Sequence, residues 1–169
     1  MSSDYDTQIT GESWAPFNKA QMYPIPDQIF EKLNGGEVVT RMGLFASINH
    51  AWAVIDSSLF LWDYTHPNPE LIGYEEQDNT ITAVALVPPK PGVFVSTITD
   101  MLVVATSAEI ILLGVATTTT PTGAKNISLY ETKMKAVRGS TDVSFIVGSA
   151  SGRISVSYTH LTLPTILRV

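Results

Sequence analysis

Cysteine is absent from this chain, so neither a disulfide framework nor a thiolate metal site can hold it together. Basic residues are scarce as well. Ten Lys and Arg against sixteen Asp and Glu leave a formal charge of −6. That balance argues against nucleic acid as the main partner, because phosphate binding needs a basic face. The opening MSSDYDTQITGESWAP is polar and acidic, without the apolar centre of a secretory signal. Long apolar runs are missing too. The most apolar stretch, MLVVATSAEIILLGVA, is broken by Thr106, Ser107 and Glu109 and reads as two short buried strands rather than a membrane span. The expectation is a soluble chain.

Patterns that carry chemistry are lacking in the same way. His50, His66 and His160 are scattered, with no i, i+4 pair among them, so they do not spell a metal site. No G-x-S-x-G elbow, phosphate-cradling glycine loop or dinucleotide fingerprint occurs. Glu75, Glu76 and Asp78 cluster in a charged turn, where a solvated face is the default reading over acid–base work. Pro88-Pro89-Lys90-Pro91-Gly92 holds a P-x-x-P spacing but serves more simply as a rigid connection. Asn126-Ile127-Ser128 is a glycosylation sequon, meaningful only in a secreted chain. Thr117–Thr120, followed by Pro121 and Gly123, reads as an exposed insertion. The residues by themselves therefore point to a β-rich interaction domain that is not an enzyme, with no catalytic, cofactor-binding or metal-binding residues and no small-molecule substrate.

What is present is strand after strand. Residues 1–21 are read as a flexible N-terminal extension, with Trp14 its one large anchor, and 22–40 as a short docking helix and lead-in. In YPIPDQIFEKLNGG, Pro26 suits a helix start and Asp27 complements its dipole. Ile29, Phe30 and Leu33 are expected on one face, and Asn34-Gly35-Gly36 stops the helix. Beyond it, His50–Asp56 and Leu59–Tyr64 form a hairpin around Ser57-Ser58, with Leu71–Glu75 as a weaker third strand. Thr80–Val87 ends at two prolines. Leu102–Thr106 pairs with Ile110–Val115, Ile127–Val137 reads as one long polar strand, and Val143–Gly148 pairs with the chain from Arg153 onward.

Three of these hairpins, AWAVIDSSLFLW, LVVATSAEIILLG and FIVGSASGRISV, share a plan and recur after about 50 and about 43 residues, a spacing suited to four-stranded propeller blades. A β-sandwich spaces its strands similarly and is the rival all-β reading. The expected fold is all-β: an incomplete β-propeller over 41–155, preceded by the helix. Trp52, Phe60 and Trp62 are expected to pack its blades, and Asp56 and Asp63 to brace its turns.

Four ordered segments then resemble a known family. Gly43–Trp52 (GLFASINHAW), Asp56–Tyr64 (DSSLFLWDY), Ala83–Phe94 (AVALVPPKPGVF) and Leu102–Gly114 (LVVATSAEIILLG) are similar to the N-terminal β-propeller of the large inner-ring scaffold nucleoporins of the nuclear pore complex, as is Ser149–Ile154 (SASGRI). The resemblance spans roughly residues 22–154. It implies a fragment holding about two and a half of seven blades. It also implies a structural constituent of the inner ring at the nuclear envelope, supporting nucleocytoplasmic transport. The implied partners are other inner-ring nucleoporins, linker nucleoporins and the pore membrane. The readings it competes with are a propeller or sandwich hydrolase and a cell-surface interaction domain. The last segment, 156–169, departs from the family. Val156–Thr165 (VSYTHLTLPT) resembles the translation of a transposase-based sequencing-library adapter, Ile166–Arg168 fits its index, and Val169 precedes its stop, so this tail is expected to be non-native.

Overall fold

The computed structural model describes residues 22–35, 39–75, 77–121, 123–132, 137–138, 143–158 and 165–168. The expected extension over 1–21, together with Trp14, Gly36, His160 and Pro164, lies outside them.

A short helix, α1 (Asp27–Leu33), comes first. Pro26 stands at its cap, and its carbonyl accepts from Ile29 N and Phe30 N at 2.9 and 3.1 Å. Ile29 is fully buried and Leu33, one turn on, is half-buried. Phe30 is 58% exposed. The sequence expectation placed all three on one face, but the next residue along a helix turns about 100° away from its neighbour. Ile29 and Leu33 share the buried stripe, and Phe30 leaves it.

The remaining elements are strands, in three antiparallel sheets that each follow chain order. The first sheet holds β1 (Thr40–Phe45), β2 (His50–Ile55), β3 (Ser58–Asp63) and β4 (Ile72–Tyr74), with a 3-10 turn at Ala46–Ile48. The second holds β5 (Ile81–Val87), β6 (Asp100–Thr106), β7 (Glu109–Thr119) and β8 (Lys125–Glu131), and β9 (Val137–Arg138) also pairs with β7. The third holds β10 (Val143–Gly148), β11 (Arg153–Tyr158) and β12 (Thr165–Arg168). The fold is thus mostly β, as the sequence implies.

The sheets stack through two apolar layers. Val54, Leu59 and Leu61 of the first sheet meet Leu102, Val104 and Leu113 of the second. On the opposite face of the second sheet, Met101, Val103 and Ile110 meet Val143, Ile146 and Ile154 of the third. β6 is therefore buried on both faces from Met101 to Thr106. This is why it reads as a continuous apolar run instead of an alternation. The outer face of the first sheet is covered by α1, whose Ile29 packs among Ala53, Ile55 and Phe60.

Several boundaries differ from expectation. The first hairpin turns at Asp56-Ser57, one residue early, because Asp56 adopts φ 51°, the left-handed conformation that primed hairpin turns require. Thr117–Thr119 are paired strand residues opposite Lys125–Ile127, not an irregular insertion. The long strand expected over Ile127–Val137 is interrupted. β8 ends at Glu131, Thr132 Oγ1 donates to Leu112 O at 2.8 Å, and β9 resumes against the start of β7. The aromatic expectations hold in part. Phe60 and Trp62 are buried, whereas Trp52 is half-buried and stacks on Phe45 at 5.8 Å. Gly43 permits that stack, since a Cβ there would lie 2.6 Å from the Trp52 ring.

Candidate protein-docking groove

Among the described residues no three His, Asp or Glu gather as a metal site, and no helix is long and apolar enough to cross a membrane. The polar groups that do meet are structural. His50 is 2% exposed, and its Nδ1 donates to Ile48 O at 2.7 Å. Burial holds its pKa below the ordinary histidine value, with Lys125 adding to the effect, against the opposing pull of the Ile48 bond and Asp63.

Asp63 is a hub. Its carboxylate accepts from Thr65 N at 2.8 Å, from the Thr65 hydroxyl, from His66 Nδ1 at 3.1 Å and from Lys125 N at 3.3 Å. Burial raises its pKa, but the bonds from Thr65 and Lys125 and the nearby His66 outweigh that and leave it below the usual carboxylate range. Thr65, His66 and Asp63 superficially resemble a nucleophile–base–acid relay. Such a relay needs the hydroxyl and the carboxylate on opposite ring nitrogens. Here both face the same Nδ1, and the hydroxyl proton goes to Asp63. The group ties β3 to the start of β8 instead. Glu75, from the sequence's acidic cluster, pairs with Lys32 of α1 at 3.7 Å, while Lys32 also lies 4.9 Å from the Phe60 ring centre. It fastens the helix to the sheet.

The feature that lacks a structural use is an apolar groove of about 650 Å³ on the second sheet. It is built where the β5–β6 connection folds back over β7 and β8. Pro88-Pro89 end β5, and Gly92 turns the chain with φ 76°. Ile98 N then donates to Val95 O at 3.0 Å, and Thr99 N to Val115 O at 2.9 Å. Phe94 and Ile98 tuck against the layer shared by the second and third sheets. Gly114 forms the floor, because a Cβ there would stand 3.0 Å from Ile98 Cδ1 and push the loop away. The lips remain apolar and open: Val95 is 69% and Tyr130 52% exposed. Among the described residues Glu131 is the one charged residue lining it.

An apolar trough with little charge among its described lining suits the side chains of a protein partner. A smaller cleft of about 340 Å³ beside α1 is lined by Tyr23, Met42, Leu44 and Trp62. It lies on the first sheet's outer face beyond the part that α1 covers. Sequence reasoning missed the groove. Val93-Phe94-Val95 follow the stretch Pro88–Gly92 read as a rigid connection, and Tyr130 lies in a strand read as alternating and more polar. An apolar triplet directly after Pro-Gly was the available signal.

Comparison with known proteins bears on this architecture. The nucleoporin N-terminal family described as Nup133 N terminal like matches residues 13–159. Nucleoporin NUP170 of Chaetomium thermophilum is 67% identical over 153 residues, covering 90% of this chain and 11% of that protein. A probable nucleoporin of Schizosaccharomyces pombe is 43% identical over 154 residues, covering 91% of this chain and again 11% of the relative. The chain thus spans about a tenth of the length of these curated relatives. Among solved structures, the crystal structure of the Chaetomium thermophilum Nup170 NTD–Nup53 complex superposes with a TM-score of 0.80 at 67% identity, covering 85% of this chain and 20% of that one. By the extent of the family match, this chain belongs to the Nup133 N-terminal-like family of nucleoporins.

Proposed function

We propose that this chain is part of a structural constituent of the nuclear pore complex inner ring, acting at the nuclear envelope by holding other nucleoporins in place rather than by catalysis. The 67% identity to nucleoporin NUP170 across 90% of the chain carries this reading. Within it, the three stacked sheets are successive blades of a β-propeller, spanning 41–155 behind the lead-in of 22–40. The meander order of each sheet and the face-to-face apolar layers support that arrangement. The groove between Val95 and Tyr130 receives an apolar segment of a linker nucleoporin, as the presence of Nup53 in the relative's complex suggests. Contact of the full protein with the pore membrane belongs to the same reading, without a loop assigned here.

Two experiments test it. A fluorescent tag on the full-length protein should mark the nuclear rim, and a diffuse cytosolic signal would remove the scaffold role. Val95→Asp and Tyr130→Ala should each weaken binding of a linker-nucleoporin peptide by about ten-fold or more. Unchanged affinity in both variants would move the docking surface elsewhere while leaving the scaffold reading intact.

Residues 156–169 are proposed to be adapter-encoded rather than native. Thr165–Arg168 does pair with β11, Leu167 opposite Ile154, but an exposed strand edge accepts almost any extended segment through its backbone alone. Re-amplifying the locus decides this: continuation of the native frame past Ile154 with a different sequence supports it, and recovery of VSYTHLTLPT from genomic DNA refutes it.

A further inference from the structure

The far ends of β7 and β8 play no part in the groove. β6 stops pairing with β7 at Val115, whereas the β7–β8 pairing continues to Thr119 opposite Lys125. Residues beyond Val115 therefore form a two-stranded ribbon that projects past the sheet. Such a ribbon has little stability of its own. Its base is held by Ile127, buried in the layer shared with the first sheet, and by Thr99, whose hydroxyl donates to Thr117 Oγ1 at 3.2 Å. Nearer the tip it is held on the first sheet by Lys125, whose Nζ donates to Ser47 O and whose amide donates to Asp63. At its tip Thr120 N donates to Ala124 O at 2.8 Å, the Thr120 hydroxyl donates to the same carbonyl at 3.2 Å, and Gly123 turns with φ 86°. Thr118, Thr119, Pro121 and Gly123 are exposed.

We propose that Thr120 is the phosphoacceptor of a proline-directed protein kinase, and that its phosphorylation releases the end of the ribbon, at Lys125, from the first sheet. Thr120-Pro121 is the only Ser-Pro or Thr-Pro dipeptide in the chain. Proline after the acceptor has no N–H, so a kinase cleft that offers no hydrogen-bond acceptor at that point selects it over every other residue. The tip supplies that dipeptide on a turn whose neighbours Thr118, Thr119, Pro121 and Gly123 are exposed. In the transfer, Thr120 Oγ1 forms a bond to the γ-phosphorus of a nucleoside triphosphate as the bond from that phosphorus to the bridging oxygen breaks. The hydroxyl proton passes to the kinase's carboxylate base, and a nucleoside diphosphate leaves.

The product cannot keep the original contact. A phosphothreonine oxygen has no proton to give Ala124 O, and its charge of about −1.5 to −2 repels that carbonyl. Lys125, opposite Thr119, is the nearest cation along the ribbon, and pairing with the phosphate draws its ammonium away from Ser47.

The test treats the whole chain with a proline-directed kinase and ATP, maps the phosphate by mass spectrometry and follows amide exchange. One phosphate is expected, on Thr120. It should be lost in Thr120→Ala and Pro121→Ala and retained in Thr120→Ser. Exchange of the Lys125 amide should quicken about ten-fold after phosphorylation, as for loss of one charge-assisted hydrogen bond. Phosphate on another residue overturns the assignment. So does a chain that stays unmodified while a peptide of residues 115–127 is accepted. Modification at Thr120 with unchanged exchange at Lys125 overturns the release.

Discussion

The first and second sheets are built alike and used differently. Both are built on a four-strand meander with a tight central hairpin, to which the second adds β9. Yet the second is buried on both faces and the first on one face and part of the other. Their leading strands record this. β5 is buried or half-buried throughout, whereas β1 is exposed at Met42 and Leu44. The same hairpin chemistry therefore makes either a central layer or an outer one. What separates them is the neighbour each face receives.

The sharpest way to break the comparison is to place a charge on corresponding outward faces. Val103→Asp would bury an unpaired carboxylate in the layer between the second and third sheets and should cost about 4 kcal/mol or more. Met42→Asp, on a residue 45% exposed, should cost under about 1 kcal/mol. Urea midpoints measure both, and equal losses would mean that the first sheet is as enclosed as the second. Next comes the helix that covers part of that outer face. Ile29→Ala should lose about 2–4 kcal/mol, and Phe30→Ala less than about 0.5, reported by the same midpoints. Gly43→Ala should lose about 1–3 kcal/mol by displacing the Trp52 ring, visible as a change in tryptophan emission.

The smallest effect concerns the joint between the sheets. Asp63 has a folded pKa below its unfolded one, so the stability it adds is present above the unfolded value and lost as pH falls through the folded value. His50 is also shifted down, so protonation favours the unfolded chain as pH drops below its ordinary value of 6.5. Both slopes have the same sign, and stability should decline from neutral pH into the acid range. Asp63→Asn should flatten the more acidic part of that decline and cost about 1–2 kcal/mol at pH 7. A decline of unchanged steepness in the variant would put the acid sensitivity elsewhere.

Much of the fold was legible because hairpins are local. In AWAVIDSSLFLW the apolar runs and the polar turn sit within a dozen residues, and β2 and β3 fall within a residue or two of their expected bounds. β10 matches its expected span, Val143–Gly148. What failed was whatever depends on a distant neighbour. The exit of Phe30 from the core depends on where the first sheet lies beneath α1. The break after Glu131 depends on Thr132 meeting Leu112, and the extra length of β7 depends on β8 continuing beside it. The groove was illegible for the same reason. Its walls come from a connection, β7 and β8, and only packing brings Val95, Gly114 and Tyr130 together. Of the turn carboxylates, Asp63 braces its own turn by accepting from Thr65 N, a bond local enough to be legible. Asp56 instead accepts from Val39 N on the chain before β1, a partner the turn by itself does not reveal.

Asp56 has one more implication. Its N–H donates to Val39 O, its side chain accepts from Val39 N, and its carbonyl accepts from Ile81 N at 2.8 Å. One turn residue thereby fixes where β1 begins, where β2 gives way to β3, and where the next sheet starts. For a chain leaving the ribosome, the first two of these contacts can form while Ile81 is still to be made. The finished turn then offers the next strand a waiting carbonyl, so the first sheet hands the second a starting point in the direction of synthesis.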